Sequence, residues 1–198
     1  MGIANQFQGV ACMSMVQRNG RFTYADYVTW DDDERWELID GEAVMMTPAP
    51  SPEHQEIVVR LSGEWYAQLR GRSCHVYVAP TDLTFDAAEE TPTVVQPDLF
   101  VMCGTYDREK RITGVPALVI EILSPSTARR DKIAKLALYE RVGVPEYWIV
   151  DGANRVIDVF LLDGAAYGRP KSHGEGDVVT ATSVEGVTVD VNTIFSSS

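Results

Sequence analysis

The run Ala117–Leu123, ALVIEIL, constrains the fold more than any other stretch of the chain. It is strand-length and almost continuously apolar, the pattern of a strand covered on both faces in the middle of a sheet. One residue breaks it. Glu121 puts a carboxylate where desolvation is costly unless the charge meets a partner. Either the strand turns Glu121 into a polar cleft, or a cation meets it.

The segments on either side supply the covering layers. In PAPSPEHQEIVVRLSGEWYAQLRG, Ser51 is an N-cap and Pro52 a first helical residue. Ile57, Leu61, Trp65 and Leu69 then recur every four residues, with Val58 beside them, and Gly71 is the stop. STARRDKIAKLALYERVG reads as a second helix, capped by Ser126 or Thr127 and ended by Gly143. CHVYVAP and TVVQPDLFVM are strands before ALVIEIL. PEYWIVDG and VIDVFLLDG form an antiparallel meander after it, and VVTATS and VTVDV suggest one or two edge strands. Near the start, TYADYVTW is a short helix capped by Thr23, and WELIDGEAVMM is a hairpin turning at Asp40-Gly41. Residues 1–20 lack a period and read as a loose tail, which leaves 21–195 as one α/β domain. Its core order is helix, three strands, helix, strand, with an N-terminal hairpin and extra C-terminal antiparallel strands.

Charge narrows the functional classes. A formal charge of −12 repels phosphate backbones at long range and excludes a protein that coats DNA regardless of sequence. The charge is uneven, however. Residues 107–141 hold eight of the seventeen basic residues (Arg108, Lys110, Arg111, Arg129, Arg130, Lys132, Lys135 and Arg141) against five acids. Such a surface can bind a polyanion, or it can be a solvated helix face. The apolar runs are about a strand long, so no membrane partner is expected. Three cysteines at spacings that suit neither a disulfide framework nor zinc point to reduced thiols in a cytoplasm.

A second acid stands in an unusual place. Asp98 follows Pro97, which removes a ladder donor and suits an edge, bulge or cleft. The segment between Asp98 and ALVIEIL is long enough for an antiparallel return, and pairing of the two strands would let Asp98 and Glu121 converge. Adjacent carboxylates repel unless a divalent cation neutralises them. Oxygen ligands without a histidine pair suit Mg²⁺ or Mn²⁺, which can activate water for phosphodiester hydrolysis. The competing reading is a structural ion pair, with Glu121 neutralised by an arginine from the following helix.

Pro97-Asp98, VIEILSPST (119–127) and RRDKIAKLALYERVGVPEYWIVD (129–151) together resemble the Uma-two endonuclease-domain family, and WELIDGEAVMMTPAPSPEHQEIVVRL (36–61) is similar to its N-terminal block. That family belongs to the PD-(D/E)XK superfamily, with a restriction-endonuclease-like fold. The resemblance implies a Mg²⁺-dependent endonuclease acting on DNA, with Asp98 and Glu121 as metal-binding acids and the backbone carbonyl of Ile122 as a third ligand. The superfamily's lysine position, two after the glutamate, is Leu123 here. Lys135 is the expected replacement, positioning the attacking water and offsetting developing charge. The alternative is an exposed helical pair of Asp131 and Lys135. His54, in the first turn of the long helix, and Glu37 and Asp131 are accessory candidates, and Asp82 also matches a family position. Arg129, Arg130 and Lys132 are the expected nucleic-acid contacts, and a homodimer is expected because cutting both strands of a duplex is easiest for a dimer. The other reading is a nuclease-fold nucleic-acid-binding or accessory module that no longer cuts. Tyr139, Tyr147 and Trp148 are read as core.

Overall fold

The computed structural model describes residues 20–31, 33–46, 50–124 and 131–196. Its framework is a seven-stranded mixed sheet between unlike layers. In chain order come α1 (Tyr24–Tyr27), β1 (Trp36–Ile39), β2 (Glu42–Met45), α2 (Pro52–Leu69), β3 (Cys74–Val78), β4 (Leu83–Thr84), β5 (Leu99–Cys103), β6 (Ile112–Thr113) and β7 (Leu118–Ile122). A π-helical turn, Asp131–Lys135, then leads into α3 (Leu136–Val142). After it follow β8 (Glu146–Asp151), β9 (Val156–Asp163), β10 (Ala166–Tyr167), β11 (Lys171–His173), β12 (Val178–Thr180), β13 (Thr188–Asp190) and α4 (Val191–Phe195). The main sheet runs β10-β9-β8-β7-β5-β3, with β11 also on β9.

β7 is central, parallel to β8 and antiparallel to β5. Alternation along it explains both covering layers. Leu118, Ile120 and Ile122 face a core with Ile57, Leu61, Trp65 and Leu69 of α2, as well as Trp148 and Val150. Val119 faces the other core, with Phe100, Leu138, Tyr139 and Tyr147, and Glu121 shares that parity. The glutamate that interrupts the apolar run therefore points toward α3. Each large side chain fully buried in these layers contributes about 1.5–3 kcal/mol.

The caps act as the sequence suggests. Ser51 accepts from the backbone of His54 at the start of α2, and Thr23 forms a capping box with Asp26. Asp40 and Gly41 take φ of +53° and +83°, which the tight turn between β1 and β2 requires. Gly143 ends α3 at φ +83°.

VVTATS and VTVDV supply the extra C-terminal antiparallel strands, β12 and β13, which pair with each other and not with the main sheet. Their valines, with Ile194 and Phe195 of α4, pack in the α2 core. The end of VTVDV turns helical because the Asp190 side chain accepts from the Asn192 backbone and caps α4. The thiols are not all reduced, because Cys74 and Cys103 form a disulfide. They are direct cross-strand partners on β3 and β5, a closeness that a sequence separation of 29 conceals. Finally, the expected regular helix around Lys135 begins with the wider π turn. The tail and the caps Ser126 and Thr127 lie outside the described residues. Among the described residues, no helix is long and apolar enough to cross a membrane.

Candidate active site

The buried charges gather at the end of β7. Glu121 is 3% exposed, and its Oε1 accepts from Lys135 Nζ at 2.8 Å and from the Tyr139 hydroxyl at 2.8 Å. Lys135 also pairs with Glu37 Oε1 at 2.9 Å, and that oxygen accepts the Gln96 backbone N–H at 2.9 Å. Glu37 is fully buried and Lys135 is 2% exposed. β1, the segment before β5, β7, the π turn and α3 thus each contribute to one polar cluster inside an apolar shell. Lys135 is not the exposed partner of Asp131, since its ammonium is turned inward between two carboxylates. The i, i+4 spacing of Lys135 and Tyr139 brings both side chains to Glu121. Burial, and then the neighbouring Glu121 carboxylate, push the Tyr139 pKa well above its usual 10, so the hydroxyl stays protonated and donating.

Asp98 approaches the same strand end from β5. Leu99 pairs with Ile120, so Asp98 lies one step beyond that pair, across from Glu121. Its Oδ2 accepts the Ile122 backbone N–H at 2.8 Å and lies 3.3 Å from His54 Nε2. The Asp98 side chain is 20% exposed, and its Oδ1 makes no hydrogen bond among the described residues. The two acids have different neighbours. Glu121 is held from the α3 side of the sheet, whereas Asp98 is steadied by His54 from α2, and the chain step Glu121–Ile122 joins them.

Behind this centre runs a second network. The Gln96 side-chain amide donates to Asp82 Oδ1 at 2.8 Å and to the Tyr27 hydroxyl at 3.2 Å, and its oxygen accepts from Arg35. Tyr27 donates to Asp82, and burial followed by that carboxylate raises its pKa. Asp82 therefore holds Gln96, and Gln96 holds Glu37.

Glu121, Lys135 and Glu37 come together directly, and Asp98, His54 and the Ile122 backbone form the adjoining group. Arg129 and Arg130, and the side chains of Asp131 and Lys132, lie outside the described residues. Leu123 packs with the α3-side core and its N–H donates to Val150, so it offers no polar group to the site. Reading the sequence missed Tyr139 and Gln96 as participants. Tyr139 carried a usable signal in its helical spacing from Lys135, and Gln96 in its place just before Pro97-Asp98.

The profile of the Uma2 family, described as "Putative restriction endonuclease", matches residues 24–192. The chain belongs to the Uma2 family. It is 31% identical over 139 residues to the "Uncharacterized protein slr1290" of Synechocystis sp., covering 68% of this chain and 71% of that one. The fold is similar to a crystal structure from Anabaena variabilis titled a "putative nuclease belonging to DUF820". That likeness has a TM-score of 0.71 at 16% identity and covers 88% of this chain and 97% of the other. The family match spans every piece that builds the polar cluster, from β1 through α3.

The donor set suits a hard divalent cation. Asp98 Oδ1 and the Glu121 carboxylate offer two oxygen donors, and among the described residues no group of three or more His, Cys, Asp or Glu side chains is placed to hold a metal ion, so further ligands would have to be backbone carbonyls or water.

Proposed function

We propose that this family member is a metal-dependent endonuclease that hydrolyses phosphodiester bonds of DNA. Asp98, Glu121 and the backbone carbonyl of Ile122 would hold Mg²⁺ or Mn²⁺, which when bound supplies an activated water and neutralises charge on the phosphate. The observation that carries the reading is the cross-strand placement of Asp98 and Glu121, with a buried lysine on the glutamate. The chain's own groups then have distinct tasks. Ile122 N–H and His54 fix the rotamer of Asp98. Tyr139 fixes Glu121, and Glu37 anchors Lys135 so that its ammonium stays at the site. From there Lys135 positions the attacking water and offsets the negative charge that develops on the phosphorus oxygens. Duplex cutting is assigned to a homodimer, which brings one such centre to each strand.

Two observations favour a second reading, a nucleic-acid-binding module that no longer cuts. Lys135 already sits on Glu121 Oε1, and Leu123 stands at the superfamily's lysine position. Incubation of the purified chain with supercoiled plasmid and with single-stranded DNA, in Mg²⁺, Mn²⁺ or chelator, separates the two. The nuclease reading expects metal-dependent nicking that is lost in Asp98→Asn and Glu121→Gln. Absence of cutting under every metal, or cutting that survives both variants, overturns it.

A further inference from the structure

A cleft beside the site has no assigned role. Its volume is about 390 Å³, within the roughly 300–1,000 Å³ range of ligand sites. Thr81, Asp82, Gln96, Arg108, Lys110 and Arg111 are among its lining residues. The cleft is bound to the candidate centre in two ways. Gln96 lines it and also donates its backbone N–H to Glu37. The 80–82 wall continues directly from Ala79, whose N–H donates to the Asp98 carbonyl at 3.2 Å. The other wall is tied in because Ile112 N–H donates to the Asp82 carbonyl at 2.9 Å.

The charges in this cleft are of two kinds. Arg111 is structural: it is buried, bonds Thr84, Glu89 and the Ala87 and Ala88 carbonyls, and lies 3.7 Å over the Tyr24 ring. Asp82 is engaged by Tyr27 and Gln96. Arg108 and Lys110 are exposed; Arg108 hydrogen-bonds the Tyr106 hydroxyl, and among the described residues neither cation makes an ion pair. Two exposed cations thus stand beside the candidate centre in a chain whose formal charge is −12. An acidic protein that must approach a polyanion needs local cations placed where the strand runs.

We propose that this cleft binds a backbone phosphate of the nucleic-acid strand next to the scissile bond, with Arg108 and Lys110 as the phosphate contacts. The inference rests on the nuclease reading and adds a strand path to it, leading from Asp98 past Gln96 toward the β5–β6 connection. Arg108 and Lys110 position the substrate and take no part in bond breaking.

The test is salt-dependent binding of a fluorescein-labelled duplex to the full chain in chelator, so that nothing is cut. Arg108→Glu/Lys110→Glu is compared with Arg169→Glu/Lys171→Glu, a charge-matched pair at the opposite, β9–β11 edge of the sheet. Circular dichroism and thermal melting confirm that both variants fold. The cleft variant should weaken binding and make the log K against log salt slope shallower by about one to two, while the control stays near wild type. Equal behaviour of the two variants overturns the cleft assignment and leaves the nuclease reading standing if the wild type still nicks plasmid. A wild type that binds no duplex at low salt and cuts nothing overturns both. A cleft that binds inorganic phosphate, with duplex affinity unchanged by the reversal, is a free-anion site and also overturns the proposal.

Discussion

Lys135→Met probes the feature on which the polar cluster depends. Methionine keeps most of the aliphatic stem and removes only the ammonium. In the native chain that ammonium lies 2.8 Å from Glu121 and 2.9 Å from Glu37, with all three side chains at most 4% exposed. Removing one partner of a buried pair costs about 3–5 kcal/mol, because the charge left behind is desolvated without its counter-ion. An exposed pair costs about 0–1 kcal/mol. The burial on both sides places Lys135 in the first class. At about 1.4 kcal/mol per tenfold, the folded-to-unfolded ratio should fall by roughly a hundred- to a few thousand-fold, a large part of a typical 5–15 kcal/mol total. Urea denaturation followed by tryptophan fluorescence reads this, since Trp65 and Trp148 are fully buried in the α2 core. The double variant Lys135→Met/Glu121→Gln should recover part of the loss by removing one of the stranded charges. A loss below about 1 kcal/mol for Lys135→Met, or no recovery in the double variant, would refute the buried arrangement.

Other consequences are independent of that one. Tyr139→Phe removes a donor to a charged acceptor and should cost about 1.5–3 kcal/mol, measured by the same urea titration. Because the Tyr139 pKa is raised by folding, the unfolded chain loses this proton first as pH rises past about 10. Wild-type stability should therefore decline above that pH, and the decline should be smaller in Tyr139→Phe. The Cys74–Cys103 disulfide predicts that iodoacetamide labels these two residues only after reduction, as read by peptide mass. Glu146 is fully buried and accepts from Trp148, the Thr182 and Ser183 backbones and the Ser183 hydroxyl. Glu146→Leu should accordingly destabilise by several kcal/mol in denaturation, by leaving those donors without their acceptor.

The legible parts of the fold share one property: their signals are local. β7 was marked by its apolar run, α2 by a four-residue stripe between Ser51-Pro52 and Gly71, and the first hairpin by Asp40-Gly41. The acids at 98 and 121 stood out because each interrupts an otherwise strand-like pattern. Glu37 carried the same signal, a charge inside a strand whose neighbours Trp36 and Leu38 are buried. Its significance depended on Gln96 and Lys135, which are 59 and 98 positions away and meet it only in the folded chain. Tyr139 was read as core because aromatic burial and a single buried hydrogen bond look alike in one dimension. The C-terminal valines alternate like a strand, yet Asp190 caps a helix within the same run. The disulfide was hidden for the same reason as Glu37, since cross-strand register cannot be read from spacing alone.

Everything proposed for the site depends on Asp98 and Glu121 together holding a divalent cation. The most direct measurement is Mn²⁺ titration of the purified chain followed by electron paramagnetic resonance, with wild type, Asp98→Asn and Glu121→Gln compared at matched thermal stability. The wild type should take up Mn²⁺ in competition with Mg²⁺, and either variant should lose that uptake. Wild-type protein that takes up no Mn²⁺, or variants that take it up undiminished, would contradict a cation held by both acids.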